Sequence, residues 1–395
     1  MRRVHAAAAV TGIWLALGAP IDAQAQRAGD ATGKVQTVLG PIDPAQLGHT
    51  LMHEHVLADF SLPETEPDRW KAAGRTRPIG ATAVRLYNAP LTIDILSDVM
   101  LGAPNRENQL LDAEATAVAE LAEFKRRGGT ALVDVTSIGL RRNPAGLQRV
   151  ARATGVQLVM GTGWYQAGWW PTGLGDRSIE SLVDEMVRDI TVGVEGTDVR
   201  AGIIGEVGIA GGADSAAADR VLRAVGRASR ETGAAVLLSG SAGFRQHGRV
   251  LDVLQSEGAD LRRAVLGHGD AYAGDLAYLR PLLDRGATIA FDMLGTPPLV
   301  TRTWPIDSEV ARTIVELVKA GYADRIVVSQ GIEARTNLKA YGGTGYSFIA
   351  ESFLPYLKRQ GLTDAQLNTI VVENPRRLLT LVAPQASRSG RAGGE

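Results

Sequence analysis

The chain of 395 residues contains no cysteine. Disulfides, thiolate metal sites and a cysteine nucleophile are therefore excluded, although that absence does not identify the compartment. An excess of either charge is also missing. With 42 basic against 43 acidic residues the net charge is −1, which removes the electrostatic footprint of a nucleic-acid binder. Beyond the N-terminus no segment is long and apolar enough to span a bilayer. No internal repeat or low-complexity linker interrupts the text before a Ser/Gly/Arg tail that follows Pro384. No glycine fingerprint follows the first strand-like run, which argues against a dinucleotide-binding fold.

What is present begins with a short basic start, Arg2-Arg3, and an apolar run from Ala6 to Leu17 that Gly18, Pro20 and Asp22 bring to an end. Ala23-Gln24-Ala25 then supplies a small-x-small cleavage pattern, so residues 1–25 read as a signal peptide. A periplasmic or secreted protein follows, free of the membrane once the signal is removed. From about residue 35 the text alternates short apolar runs with amphipathic helical stretches. Eight strand candidates are Thr50–His55, Thr130–Thr136, Gln157–Gly163, Ala201–Val207, Ala235–Ser239, Ala264–His268, Ala287–Phe291 and Arg325–Ser329. Eight βα units in one stretch predict an α/β fold of the (β/α)8 TIM-barrel type over residues 26–385, with 386–395 as a disordered tail. The proline-punctuated stretch Val56–Gln109 then becomes an elaborated first βα loop over the active-site face.

Three chemical elements sit at strand ends, where barrel active sites form. His53-Glu54-His55 closes the first strand; side chains two apart share a face, so His53 and His55 can converge on one ion. Gly205-Glu206-Val207-Gly208 places a carboxylate at the mouth, either as a bridge between cations, as a base, or as half of a buried ion pair. Gly267-His268-Gly269 adds a third imidazole facing the same way. His49 and His247 read as off-strand surface or capping residues.

Taken together, several further segments resemble the phosphotriesterase-related proteins of the amidohydrolase superfamily. They are Gly48-His49-Thr50-Leu51-Met52-His53-Glu54-His55, Val133-Asp134-Val135-Thr136, Gly161-Thr162-Gly163-Trp164-Tyr165, Ile204-Gly205-Glu206-Val207-Gly208, Tyr341-Gly342-Gly343-x-Gly345-Tyr346 and Glu373-Asn374-Pro375. They occur in family order from about residue 35 to 383. The resemblance implies one or two divalent ions, Zn²⁺ foremost, held by His53, His55, Glu206 and His268. It also implies a metal-activated water, with Glu206 as the candidate catalytic carboxylate and Tyr165 lining the substrate pocket. The substrate class it implies is a small ester, lactone or phosphotriester, and it implies a homodimer.

Two positions depart from the family pattern. Ser239 stands where strand 5 should end in histidine, and Gly331 where strand 8 should carry aspartate. A hydroxyl is a weak ligand for Zn²⁺-like ions and glycine offers none, which predicts a weakened site. Glu333, two residues further on, is a conceivable replacement ligand. The strands should still present both departed positions to the cavity, so Ser239→His with Gly331→Asp is expected to restore ligands. The alternative to a metal-dependent hydrolase is a catalytically inactive barrel retained for binding or scaffolding.

Overall fold

The computed structural model describes residues 31–209, 215–241, 243–296 and 305–385. The expected signal segment and tail lie outside these residues. Among these residues, eight parallel strands run in consecutive order round one sheet. They are β1 (His49–Glu54), β2 (Gly129–Asp134), β3 (Gln157–Thr162), β4 (Ile203–Gly208), β5 (Val236–Ser239), β6 (Ala264–Leu266), β7 (Thr288–Phe291) and β8 (Ile326–Val328). Helices α1 (Glu114–Arg126), α2 (Pro144–Thr154), α3 (Ile179–Thr191), α4 (Ala216–Thr232), α5 (His247–Ser256), α6 (Leu276–Asp284) and α7 (Asp307–Lys319) separate them. This is the predicted (β/α)8 barrel, each strand within a few residues of its expected bounds.

Local chemistry accounts for the helix ends. Helix α2 starts where the Asn143 side chain accepts from Gly146 N–H with Pro144 in the first turn; it stops at Gly155, whose φ of +66° only glycine adopts cheaply. Helix α4 likewise runs from a Ser215 cap to Gly233. At the closed end of the barrel, Arg263 donates to the carbonyls of Leu378 and Thr380 at the C-terminus of helix Asn374–Leu379, where a cation complements the helix dipole.

Two apolar cores result. The inner one takes at least one residue from every strand: Met52, Ala131, Val133, Val159, Ile203, Ala235, Leu237, Val265, Ala290 and Val327. The outer one joins the alternate strand residues, among them Leu51, Leu132, Leu158, Ile204, Val236 and Leu238, to the helices. This is the period-two signature of a barrel wall. The seam from β8 to β1 is closed by side-chain and loop hydrogen bonds. His53 N–H donates to Ser329 Oγ at 3.0 Å and Gly331 N–H to His53 O at 3.2 Å.

Two histidines differ from expectation. His49 opens β1 with its ring edge-on to Phe124, centroids 5.8 Å apart, and His247 begins α5, buried, with Nδ1 2.6 Å from the Tyr278 hydroxyl. Both lie against aromatic neighbours, and burial holds each imidazole down to a pKa of about 4. As pH falls, the unfolded chain takes up these protons near 6.5 while the folded chain does not. Stability is therefore full above about pH 6.5, drains between there and about 4, and loses nothing more from these groups below. We expect each histidine to cost up to roughly 2 kcal/mol by pH 5 relative to pH 7.5. Urea unfolding at the two pH values checks this: His49→Gln should shrink the difference, and an unchanged difference contradicts it.

Candidate functional site

Strict alternation along the strands would not bring the site residues together. Leu51 faces the helices, so two residues on, His53 should too; instead the β1–β2 register shifts between Leu51 and Glu54. Ile204 also faces outward, and the β4–β5 register shifts between Ile204 and Val207. These irregularities change the phase of both strands and turn His53 and Glu206 into the barrel mouth, the usual work of a bulge near a functional site. His268 follows β6 with φ +58°, a left-handed backbone that breaks the alternation there as well.

Glu206 lies at the centre, 1% exposed. Its Oε2 is 3.2 Å from His53 Nε2 and 3.5 Å from His55 Nε2, and its Oε1 is 3.9 Å from His268 Nε2. Ser239 Oγ, at the inward end of β5, donates to Oε1 as well. The structure thus brings together all four sequence-predicted ligands. Three of them, His53, Glu206 and His268, offer ligand atoms that all lie within 4.8 Å of one another.

Each imidazole is anchored through its other nitrogen. His53 Nδ1 sits 2.6 Å from Asp292 Oδ2, His55 Nδ1 3.0 Å from Thr136 Oγ1, and His268 Nδ1 2.8 Å from Gly240 O. A carbonyl or carboxylate only accepts, so Nδ1 of His53 and His268 carries hydrogen and the neutral rings point Nε2 lone pairs at Glu206. Lone pairs facing an anion need a cation between them, either a proton or a metal ion. Without metal the proton serves. Burial alone would push the His53 imidazole down, but Glu206 and Asp292 on either side hold it well above its usual value. Burial likewise raises Glu206, and the three imidazoles, His53 foremost, override it and hold the carboxyl well below the ordinary range. The donor set suits a divalent metal: imidazole nitrogens and a carboxylate, with outer partners that orient the rings.

Asp292, just beyond β7, was not singled out from sequence. It holds the His53 ring by one oxygen and accepts from the His268 backbone N–H at 2.8 Å by the other, so it positions one ring and the main chain that carries a second. The signal that could have found it was an acid at a strand end, after Thr288-Ile289-Ala290-Phe291. Glu54, between the paired histidines, also proved structural: its carboxylate accepts from Ser329 Oγ and Gln330 N–H, both at 2.7 Å, and from Ile332 N–H at 2.9 Å.

A cavity of about 320 Å³ opens above the cluster, lined by His53, His55, Glu206, His268, Tyr165 and Arg75 among others. Tyr165 packs edge-on against Phe60 and tilted against Trp169, and burial with Glu206 nearby pushes its hydroxyl well above the usual range. Glu333 lines the same cavity but pairs with Arg75 at 3.8 Å and is not among the converging donors. Of the two departed positions, Ser239 does face the cluster. Gly331 does not admit a replacement in the same way: its φ is +61°, and a Cβ there would lie 2.5 Å from the Asp292 carbonyl oxygen. Position 331 lines the cavity as expected, but its backbone strains any side chain placed there.

The family model for the phosphotriesterase family matches residues 33–379. Human N-acetyltaurine hydrolase is 32% identical over 356 residues, spanning 88% of this chain and 98% of that protein. The crystal structure of a resiniferatoxin-binding protein from Rhodobacter sphaeroides superposes with a TM-score of 0.79 at 38% identity, covering 90% of this chain and 97% of that one. The phosphotriesterase homology protein from Escherichia coli, solved with phosphate in its active site, superposes at 0.69 with 26% identity, covering 86% and 100%.

Two substitutions probe the geometry. Asp292→Asn should leave the fold intact but loosen the His53 ring, lowering Zn²⁺ affinity by about 10–100-fold in a competition titration. Wild-type affinity in that variant would deny Asp292 its positioning role. Gly331→Asp should lower the unfolding free energy by at least ~1–2 kcal/mol in urea, through left-handed strain and the collision with Asp292 O.

Proposed function

This chain belongs to the phosphotriesterase family and is a hydrolase, and on that premise we propose that it cleaves a small-molecule ester, lactone, phosphotriester or carboxamide with a divalent cation held by His53, His55, Glu206 and His268. The observation that carries the proposal is the set of imidazoles with Nε2 turned onto one buried carboxylate. His53 and His268 in particular have Nδ1 committed to an acceptor. The carboxamide enters because the human relative is named as an N-acetyltaurine hydrolase.

When bound, a Zn²⁺-like ion supplies Lewis acidity and a water whose pKa is brought near neutrality. The chain's own residues do the rest. His53, His55 and His268 offer ligand nitrogens whose rotation Asp292, Thr136 and Gly240 have already stopped, so little ordering remains to be done at binding. Glu206 completes the ligand set from its buried position, and Gly331 brings no carboxylate to serve as a separate proton acceptor. Tyr165 and its aromatic neighbours form a dry wall against which the acyl or phosphoryl group is held. Ser239 and Gly331 add neither imidazole nor carboxylate for a second ion, which favours one tightly held cation per chain.

Elemental analysis of the purified protein should return close to one divalent metal per chain. Chelation should abolish turnover of a panel comprising phenyl acetate, a γ-lactone, N-acetyltaurine and a paraoxon-like triester, and Zn²⁺, Mn²⁺ or Co²⁺ should restore it. Glu206→Gln should lower metal content and turnover together, since it removes the one anionic ligand of the set. A metal-loaded chain that turns over none of the panel would instead favour the inactive, ligand-binding barrel.

A further inference from the structure

The elaborated first βα loop encloses a second cavity beside the first. It measures about 400 Å³ and is walled by Trp70, Val99, Pro104 and the amide side chains of Asn105, Asn108 and Gln109, among others. The two chambers have two lining residues in common, Arg75 and Glu333, so this pair is the partition between them.

Arg75 is held in orientation but only loosely neutralised. Its guanidinium carbon lies over the Trp169 ring, 4.8 Å from the centroid, which seats the fork against that face. Gln109, with its amide turned to satisfy both neighbours, accepts from Arg75 Nη1 at 2.8 Å while donating to Phe60 O at 3.2 Å. The Glu333 carboxylate stands 3.8 Å from Nη2, beyond hydrogen-bond length, and both side chains stay partly open to solvent. A guanidinium has five N–H donors; among the described residues one of Arg75's is accounted for at hydrogen-bond distance. Of the carboxylates lining either chamber, Glu206 is already engaged by imidazoles and Glu333 reaches Arg75 only at long range. A planar, pre-oriented fork with free donors, facing a reaction chamber, suits a carboxylate or sulfonate better than a neutral group.

We propose that Arg75 is the specificity-determining residue of this hydrolase, receiving an anionic group, a carboxylate or sulfonate, at the end of the substrate away from the scissile bond. Glu333 stands near the guanidinium without a hydrogen bond to it, and the anion takes the donors left free. The reacting end lies over the imidazole cluster, the charged end meets the partition, and any longer tail continues into the second chamber. This inference rests on the hydrolase reading of the cavity.

The test compares an anionic and a neutral substrate of one scaffold, 4-carboxyphenyl acetate and phenyl acetate, on the metal-loaded full chain. In the wild type kcat/KM should favour the anionic ester. Arg75→Met should lower that preference at least tenfold, mainly through KM, and Glu333→Gln should raise it by removing the competing carboxylate. Calorimetry with 4-hydroxybenzoate and phenol repeats the comparison without turnover. The carboxylate should bind more tightly to the wild type, with the preference lost in Arg75→Met. If neither ester is turned over, the hydrolase reading loses support while calorimetry still decides on Arg75. No carboxylate preference in the wild type, or an equal preference in Arg75→Met, overturns the proposal.

Discussion

A charge that water cannot reach organises the mouth of this barrel. The Glu206 carboxylate is almost fully enclosed, and an enclosed carboxylate without positive partners costs several kcal/mol. The imidazoles that face it, with a proton or metal ion to supply the positive charge, come from both sides of the barrel axis: His53 from β1, His55 just beyond it, His268 from the end of β6. Each ring is then fixed by a group from another strand end: Asp292 after β7, Thr136 after β2, Gly240 after β5. One buried anion thereby ties most of the barrel rim into a single electrostatic unit, and the same unit is what makes the cavity a place to hold a cation.

The seam between first and last strands shows the same coupling at the level of the backbone. Glu54 gathers the Ser329 hydroxyl and two backbone N–H groups of the following loop, while Ser329 accepts from His53 N–H. A ligand histidine and the loop after β8 are therefore positioned by one buried hydrogen-bond network, in which every member is high-stakes because an unmet partner has no water to turn to. Gly331 sits in that loop, pressed against the Asp292 carbonyl in a backbone conformation suited to glycine. The residue type there answers to chain geometry as much as to ligand chemistry.

Barrel and cluster alone do not select a substrate, since the same fold carries many reactions. Selection belongs to what surrounds the rim. Between β1 and α1 the chain builds helices Pro67–Ala72, Ala81–Asn88 and Ile93–Met100, and this insertion delivers Arg75 to the cavity wall. The turn after β3 delivers Tyr165, with Trp169 bridging the two by packing tilted against Tyr165 and lying beneath Arg75. Rigid strands hold the reacting groups and the longer loops shape the space above them, the division of labour expected of this architecture.

Read alone, the sequence determined the repeated βα rhythm, because alternation of apolar residues and helix-stopping glycines are local properties. It also determined the donor types at strand ends, His53, His55, Glu206 and His268, and the match of their flanking text to a known family. What it could not determine is which way those side chains point. Two-residue periodicity from Leu51 and Ile204 turns His53 and Glu206 toward the helices, and only pairing with neighbouring strands introduces the register shifts that turn them inward. Asp292, the Glu54 network and the Arg75–Glu333 partition join residues separated by more than 200 positions. No local pattern encodes such encounters. They exist because closing the barrel brings distant strand ends within a hydrogen bond of one another, where burial makes each polar group find a partner.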